Sequence, residues 1–99
     1  MSGEKLEASI AKGLKYFRHK KEMSLEDVRL RSGIDRSYIS KIENGYIVPR
    51  LNMVYRICES LSIDISELIN WALKNMHNHD NTKEYSPTED DIKRLMGEK

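Results

Sequence analysis

Residues 23–45 read Met-Ser-Leu-Glu-Asp-Val-Arg-Leu-Arg-Ser-Gly-Ile-Asp-Arg-Ser-Tyr-Ile-Ser-Lys-Ile-Glu-Asn-Gly, and this stretch contains the clearest helix-start and helix-end signals of the chain. Ser24, followed three residues later by Asp27, resembles a capping box, in which side chains satisfy the first backbone N–H groups of a helix. Gly33 suits the left-handed residue that ends such a helix, because it has no Cβ to clash there. The pattern therefore predicts a short helix over 25–32.

A second short helix follows directly. Asp35 can cap it and Asn44-Gly45 can end it, so we expect it to span 36–44. Only two residues inside it, Ile39 and Ile42, are aliphatic, and they share one face, which leaves the other face polar. Two short helices joined by a glycine turn, the second with a polar outer side, are typical of the helix-turn-helix, which places its second helix in the major groove of DNA.

The flanking sequence predicts three more helices and no strand. Apolar residues recur at helical spacing over 6–21 and over 51–61, and Asp64 can cap a last helix that ends near residue 75. Residues 46–50, which include a proline, form a loop. We expect an all-α fold, a compact five-helix domain with a flexible C-terminal tail.

The composition shift near residue 76 divides the chain. Residues 1–9 form an N-terminal arm and the start of the first helix, residues 10–75 the DNA-binding domain, and residues 76–99 an acidic flexible tail. Residues 77–81 are expected to be a polar linker. A cap and a proline then precede Ile92, which favours a short helix with too few apolar residues to fold alone.

The charge follows the same division. The net charge of +1 over 99 residues argues against a nucleic-acid partner when the chain is taken whole. Residues 1–75, however, carry thirteen basic and ten acidic side chains, whereas residues 76–99 carry four and six. The basic excess is concentrated within 15–50, where nine basic side chains face five acidic ones. The small total hides a basic domain and an acidic tail.

Several functional classes are excluded or disfavoured. With 38% hydrophobic residues, 99 residues supply one modest core, which excludes a multidomain enzyme. No apolar run approaches a membrane span and no targeting segment begins the chain, so we expect a soluble, cytoplasmic protein. The single cysteine, Cys58, excludes an internal disulfide and a multi-thiolate metal site, and packing is expected for it rather than redox sensing. A metal at His77 and His79 is disfavoured. We expect no catalytic residues, metal or cofactor.

Residues 10–73 resemble the lambda-repressor/Cro-like (XRE) family. The resemblance rests on residues at matching positions along two thirds of the chain: Leu14, Arg18, Met23 to Val28, Gly33-Ile34, Ser37 to Gly45, Pro49, Leu61 to Ile63 and Leu68. The methionine-serine-leucine order at residue 23 is similar to that of SinR-type developmental repressors. The resemblance implies a helix-turn-helix fold and double-stranded DNA as the partner.

The resemblance also implies roles for individual residues. The positions that read base edges are occupied by Arg36, Ser37, Tyr38, Ser40 and Lys41. Among them, the planar fork of arginine matches guanine O6 and N7, whereas the tyrosine could contact a thymine methyl or pack across the turn. The positions that approach phosphate are occupied by Ser24, Leu25 and Asn44, with Lys15 and Arg50 as weaker candidates. Arg18 and Glu43 occupy positions that form a buried ion pair across the domain.

Three residues depart from the family pattern. Leu25 replaces a glutamine that commonly contacts the DNA backbone, Arg29 replaces a small residue, and Leu30 replaces a polar one. Because of Arg29, the sequence does not predict the packing angle of the second helix. It also does not predict whether the side chain of Leu30 is exposed.

The last predicted helix is apolar nearly all round, which suggests a neighbour on each side. We expect a homodimer interface formed by Ile69, Trp71, Leu73 and Met76, although Trp71 and Leu73 could instead cover the edge of the domain. The sequence thus predicts a transcriptional regulator, a repressor that binds a palindromic operator as a dimer. The alternatives are a protein-interaction module or antitoxin-type regulator, whose last helix or tail captures a protein, and the DNA-binding end of a longer sensor.

Overall fold

The computed structural model describes residues 2–81, and the side chains of residues 3–76. Five helices follow one another along this part of the chain: α1 (Ser2–Lys20), α2 (Leu25–Ser32), α3 (Arg36–Glu43), α4 (Leu51–Ser60) and α5 (Ile65–Asn81). No strand occurs among residues 2–81. The predicted all-α, five-helix architecture is confirmed.

Every helix contributes to one hydrophobic core. Its largest fully buried side chains come from α1, α3, α4, α5 and the turn after α4: Leu14, Ile39, Ile42, Ile57, Leu61 and Leu68. The helix α2 adds Val28, which is completely buried. Because α3 buries only Ile39, Ile42 and the end residue Glu43, its remaining side chains stay outside this core.

The first and last helices pack closely against each other. Ser9 Oγ donates a hydrogen bond of 2.7 Å to the carbonyl of Ala72, deep in the contact. One helical turn further along α1, a Cβ on Gly13 would lie 2.7 Å from Leu68 Cδ1 and 2.9 Å from the Trp71 ring. The two helices therefore run antiparallel, and the glycine allows their backbones to approach.

Both of these helices are longer than their sequence pattern predicts. The helix α1 begins at Ser2 rather than near residue 6, and α5 ends at Asn81 rather than near 75. The polar linker expected over 77–81 is wrong, because its backbone continues α5. The described contacts between α1 and α5, such as Ser9 with Ala72, lie within both helices, and tertiary contact of this kind stabilises helical turns beyond the apolar pattern.

Two predictions fall outside the described residues, namely the helix around Ile92 and the metal pair of His77 and His79, whose side chains are not described. Among the helices of residues 2–81, none is both long and apolar enough to cross a membrane.

Candidate nucleic-acid interface

The start of α2 is fixed by the capping box that the sequence predicts. Ser24 Oγ accepts a hydrogen bond of 3.0 Å from the backbone N–H of Asp27, and the N–H of Ser24 donates one of 2.8 Å to Asp27 Oδ2. This hydrogen bond from the Ser24 backbone holds the pKa of Asp27 below its usual value. At the other end, Gly33 adopts a φ of 76° and its N–H donates to the carbonyl of Arg29 at 2.8 Å. Gly33 therefore ends α2, and α3 begins three residues later, at Arg36.

The side chain of Asp35 caps α3. Its Oδ2 accepts hydrogen bonds from the backbone N–H of Ser37, at 3.0 Å, and from the Ser37 hydroxyl. These hydrogen bonds, of which the one from the hydroxyl is the largest contribution, hold the pKa of Asp35 below its usual value. The cap fixes the position at which α3 begins.

The outer side of α3 is polar and open. The base-reading candidates Arg36, Ser37 and Lys41 are exposed, whereas Ser40 is half-buried. Asn44 closes the helix, because its Nδ2 donates to the Ser40 carbonyl at 2.9 Å and approaches the Ser40 hydroxyl at 3.3 Å. Tyr38 differs from these residues, since it is half-buried and packs against the hydrophobic core.

A charged cluster that the sequence reasoning missed joins α2 to the start of α3. Arg29 donates from Nε and Nη2 to the two carboxylate oxygens of Glu26, at 3.0 and 2.6 Å. This hydrogen bonding holds the pKa of Glu26 below its usual value. Arg36 Nη1 lies 3.6 Å from Glu26 Oε1 with 61% of its side chain exposed. The spacing of Glu26 and Arg29, three residues apart on one helix, is the signal that could have revealed the cluster.

The structure brings Arg18 of α1 and Glu43 of α3 together inside the protein. Arg18 donates from Nε to Glu43 Oε2 at 2.7 Å and from Nη2 to Oε1 at 2.9 Å, and both residues are 8% exposed. The remaining terminal nitrogen, Nη1, donates to the carbonyl of Met23 at 2.9 Å. One arginine thus ties the last residue of α3 to α1 and to the turn that leads into α2.

The helices α2 and α3, each capped at its start and joined by a glycine turn, are arranged as a helix-turn-helix. A helix-turn-helix family model matches residues 14–68, which is more than half of the chain. The chain belongs to the helix-turn-helix family. Its members of this XRE type are DNA-binding regulators and typically not enzymes. No curated protein matches the chain.

Within this helix-turn-helix domain, the phosphate candidates are spread over several elements. Ser24 and Leu25 start α2, Asn44 follows α3, and Arg50 directly precedes α4. Lys15 lies on the exposed side of α1. None of the ion pairs among the described residues involves Lys15 or Arg50.

The dimer candidates of α5 differ in their surroundings. Trp71 stacks on Tyr16 of α1, with ring centroids 5.1 Å apart and an angle of 22° between the planes. Ile69 and Met76 are half-buried, and Leu73 is exposed. One face of the Trp71 ring is therefore covered by Tyr16 of the same molecule.

The described side chains include one buried thiol and no candidate metal cluster. Cys58 is fully buried, and burial raises the pKa of its thiol to about 11. Such a thiol stays protonated and unreactive at neutral pH. Among the described side chains, no group of three or more histidine, cysteine or acidic residues could hold a metal ion.

Proposed function

We propose that this protein is a sequence-specific transcriptional regulator, a repressor that places α3 in the major groove of each half of a palindromic operator. The observation that carries the proposal is the one-sided burial of α3. Ile39 and Ile42 fasten it to the core while Arg36, Ser37 and Lys41 stay exposed. A helix attached in this way offers donors and acceptors to base edges without any loss of packing.

Arg36 is the residue best suited to read a base. Its guanidinium carries two parallel donors, which match guanine O6 and N7. In the free protein it is held only at 3.6 Å by Glu26, whose carboxylate is already occupied on both oxygens by Arg29. Arg36 can therefore turn to a base without leaving Glu26 unneutralised.

The other polar residues of α3 have more restricted roles. The hydroxyl of Ser37 already donates to Asp35, so it would meet DNA as an acceptor. Lys41 is exposed and can donate to a base or a phosphate. The backbone N–H groups at the start of α2 add an anion site at Leu25. Asn44, Lys15 and Arg50 would complete the phosphate contacts, which position the protein without reading sequence.

A dimer follows from the palindrome, because two copies of α3 must enter the groove about one helical turn, roughly 34–36 Å, apart. The resemblance to SinR-type repressors supports the repressing role, in which the bound dimer blocks a promoter. The interface that the sequence predicts for this dimer lies on α5 and consists of Ile69, Trp71, Leu73 and Met76, of which Trp71 also stacks on Tyr16.

The proposed readout is tested by a mobility-shift assay with Arg36→Ala. Losing a bidentate base contact should lower the free-energy preference for specific over non-specific DNA by roughly 1–3 kcal/mol. The control is Lys15→Gln, which should weaken binding to all sequences evenly. An unchanged ratio for Arg36→Ala would show that this arginine does not read the operator.

A further inference from the structure

The most exposed apolar surface of the described residues lies on neither α5 nor the outer side of α3. Four large hydrophobic side chains lie uncovered in the loop after α3 and on α4: Tyr46, Val48, Leu51 and Tyr55. We call these four residues the α4 patch. Tyr46 is 81% exposed and Leu51 is 70% exposed. Given typical side-chain areas, these four side chains together leave on the order of 450 Å² in water, which equals the largest apolar patch of an ordinary monomer, a surface that is often functional.

We propose that the α4 patch binds the same patch of a second copy of this chain and so forms the two-fold dimer. The inference rests on the proposed function, since a palindromic operator is read by two copies. A two-fold axis places a surface against itself, so each charge near the axis meets its own like charge. Arg50 is the only charged residue of the stretch 46–55, and Glu59 lies beside Tyr55 one helical turn further along α4, so the patch brings few like charges to the axis.

DNA is a poorer occupant of the α4 patch than a second copy. Val48 and Leu51 carry no polar group, so they cannot donate to phosphate oxygens, which receive most protein–DNA hydrogen bonds. Aromatic and aliphatic side chains are instead enriched at the centre of homodimer interfaces. The end of α1 and the turn after it carry Lys15, Lys20 and Lys21, and this basic segment would repel a copy of itself in a two-fold contact.

The α5 surface is also a poorer candidate. Trp71 is stacked on Tyr16, and Ile69 and Met76 are half-buried, so only Leu73, at 43%, counts as exposed among the predicted interface residues. The α4 patches of two copies would bury about 900 Å² through their four side chains alone. With the neighbouring loop atoms, this area suits a small, reversible dimer.

The test measures association of the full 99-residue chain without DNA. Sedimentation equilibrium over a dilution series that starts near the solubility limit gives the dimer Kd for the wild type and for Leu51→Lys. We expect the lysine to raise the dimer Kd about tenfold or more, because it introduces a like-charge pair into an apolar contact. The matched control is Leu30→Lys, since Leu30 is a leucine of α2 with nearly the same exposure, 66%. Leu73→Lys tests α5 in the same way, and both of these variants should dimerise like the wild type.

A second variant, Val48→Lys, repeats the test in the loop, where helix stability is not affected, and far-UV circular dichroism checks that each variant is folded. A monomeric wild type at every concentration, or folded α4-patch variants that dimerise normally, would overturn the proposal. If Leu73→Lys dissociates the dimer, the interface lies on α5. If Leu51→Lys and Val48→Lys dimerise normally but bind all DNA sequences more weakly, the patch contacts DNA. Because dimerisation is measured without DNA, a dimer that binds no operator would refute only the proposed function.

Discussion

The buried pair of Arg18 and Glu43 allows a large effect on stability to be predicted from geometry. In Glu43→Leu, Arg18 keeps its hydrogen bond to the Met23 carbonyl but loses both partners of Nε and Nη2. Removing one partner of a buried pair costs about 3–5 kcal/mol, because the remaining charge is left desolvated. We expect about 3 kcal/mol, since Nη2 also lies 3.4 Å from the His19 ring and retains a polar neighbour.

Urea unfolding followed by circular dichroism measures this loss, which is a large fraction of the 5–15 kcal/mol typical of natural domains. The double variant Arg18→Met/Glu43→Leu is the control. With both charges gone, the pocket is apolar, and stability should return to within about 1 kcal/mol of the wild type. If Glu43→Leu and Arg18→Met each cost under about 1 kcal/mol and their effects add, the two residues act as independent charges and are not a coupled buried pair.

Further predictions concern the helix contacts and caps. Gly13→Ala should lower the free energy of unfolding by about 1–3 kcal/mol in the same urea assay, because its Cβ would clash with Leu68, whereas Gly3→Ala, which meets nothing within 4 Å, should not lower it. Ser24→Ala should cost about 1 kcal/mol at neutral pH through loss of the α2 cap, and an unchanged unfolding midpoint would contradict this. The folded-state pKa of Asp27 is depressed, so its contribution is present above the unfolded pKa and is lost as pH falls through the folded one. Urea titrations at falling pH should therefore show the stability difference between wild type and Asp27→Asn shrinking in acid, and a constant difference would contradict the role of the carboxylate. Ser24→Ala keeps the backbone N–H that donates to Asp27, so most of its own loss should persist in acid.

The parts of the fold that sequence predicts well are those set by nearby residues. The capping box at Ser24 and the left-handed Gly33 depend on partners within four residues, and both occur as expected. The ends of α1 and α5 could not be predicted in this way. The two helices are joined by contacts such as Ser9 with Ala72, which are far apart in sequence and leave no local pattern. For Trp71, the sequence left a dimer contact and a cover for the domain edge open, and only the fold shows its stacking on Tyr16.

The candidate site divides along similar lines. The open polar side of α3 follows from the positions of Ile39 and Ile42 alone. The cluster around Glu26 was missed, because surface charges follow no apolar period and their partners emerge only from the angle between α2 and α3. The α4 patch was also missed, since Tyr46 and Val48 lie in a stretch that reads simply as a loop and only the fold shows that nothing covers them.

Selection of bound sequences from a random pool of double-stranded DNA tests whether two copies of α3 read a palindromic operator. We expect an enriched palindrome with half-sites about 10 bp apart and a guanine in each half whose preference disappears in Arg36→Ala. A pool without enrichment, or an enriched motif that lacks two-fold symmetry and is unchanged by Arg36→Ala, would contradict it.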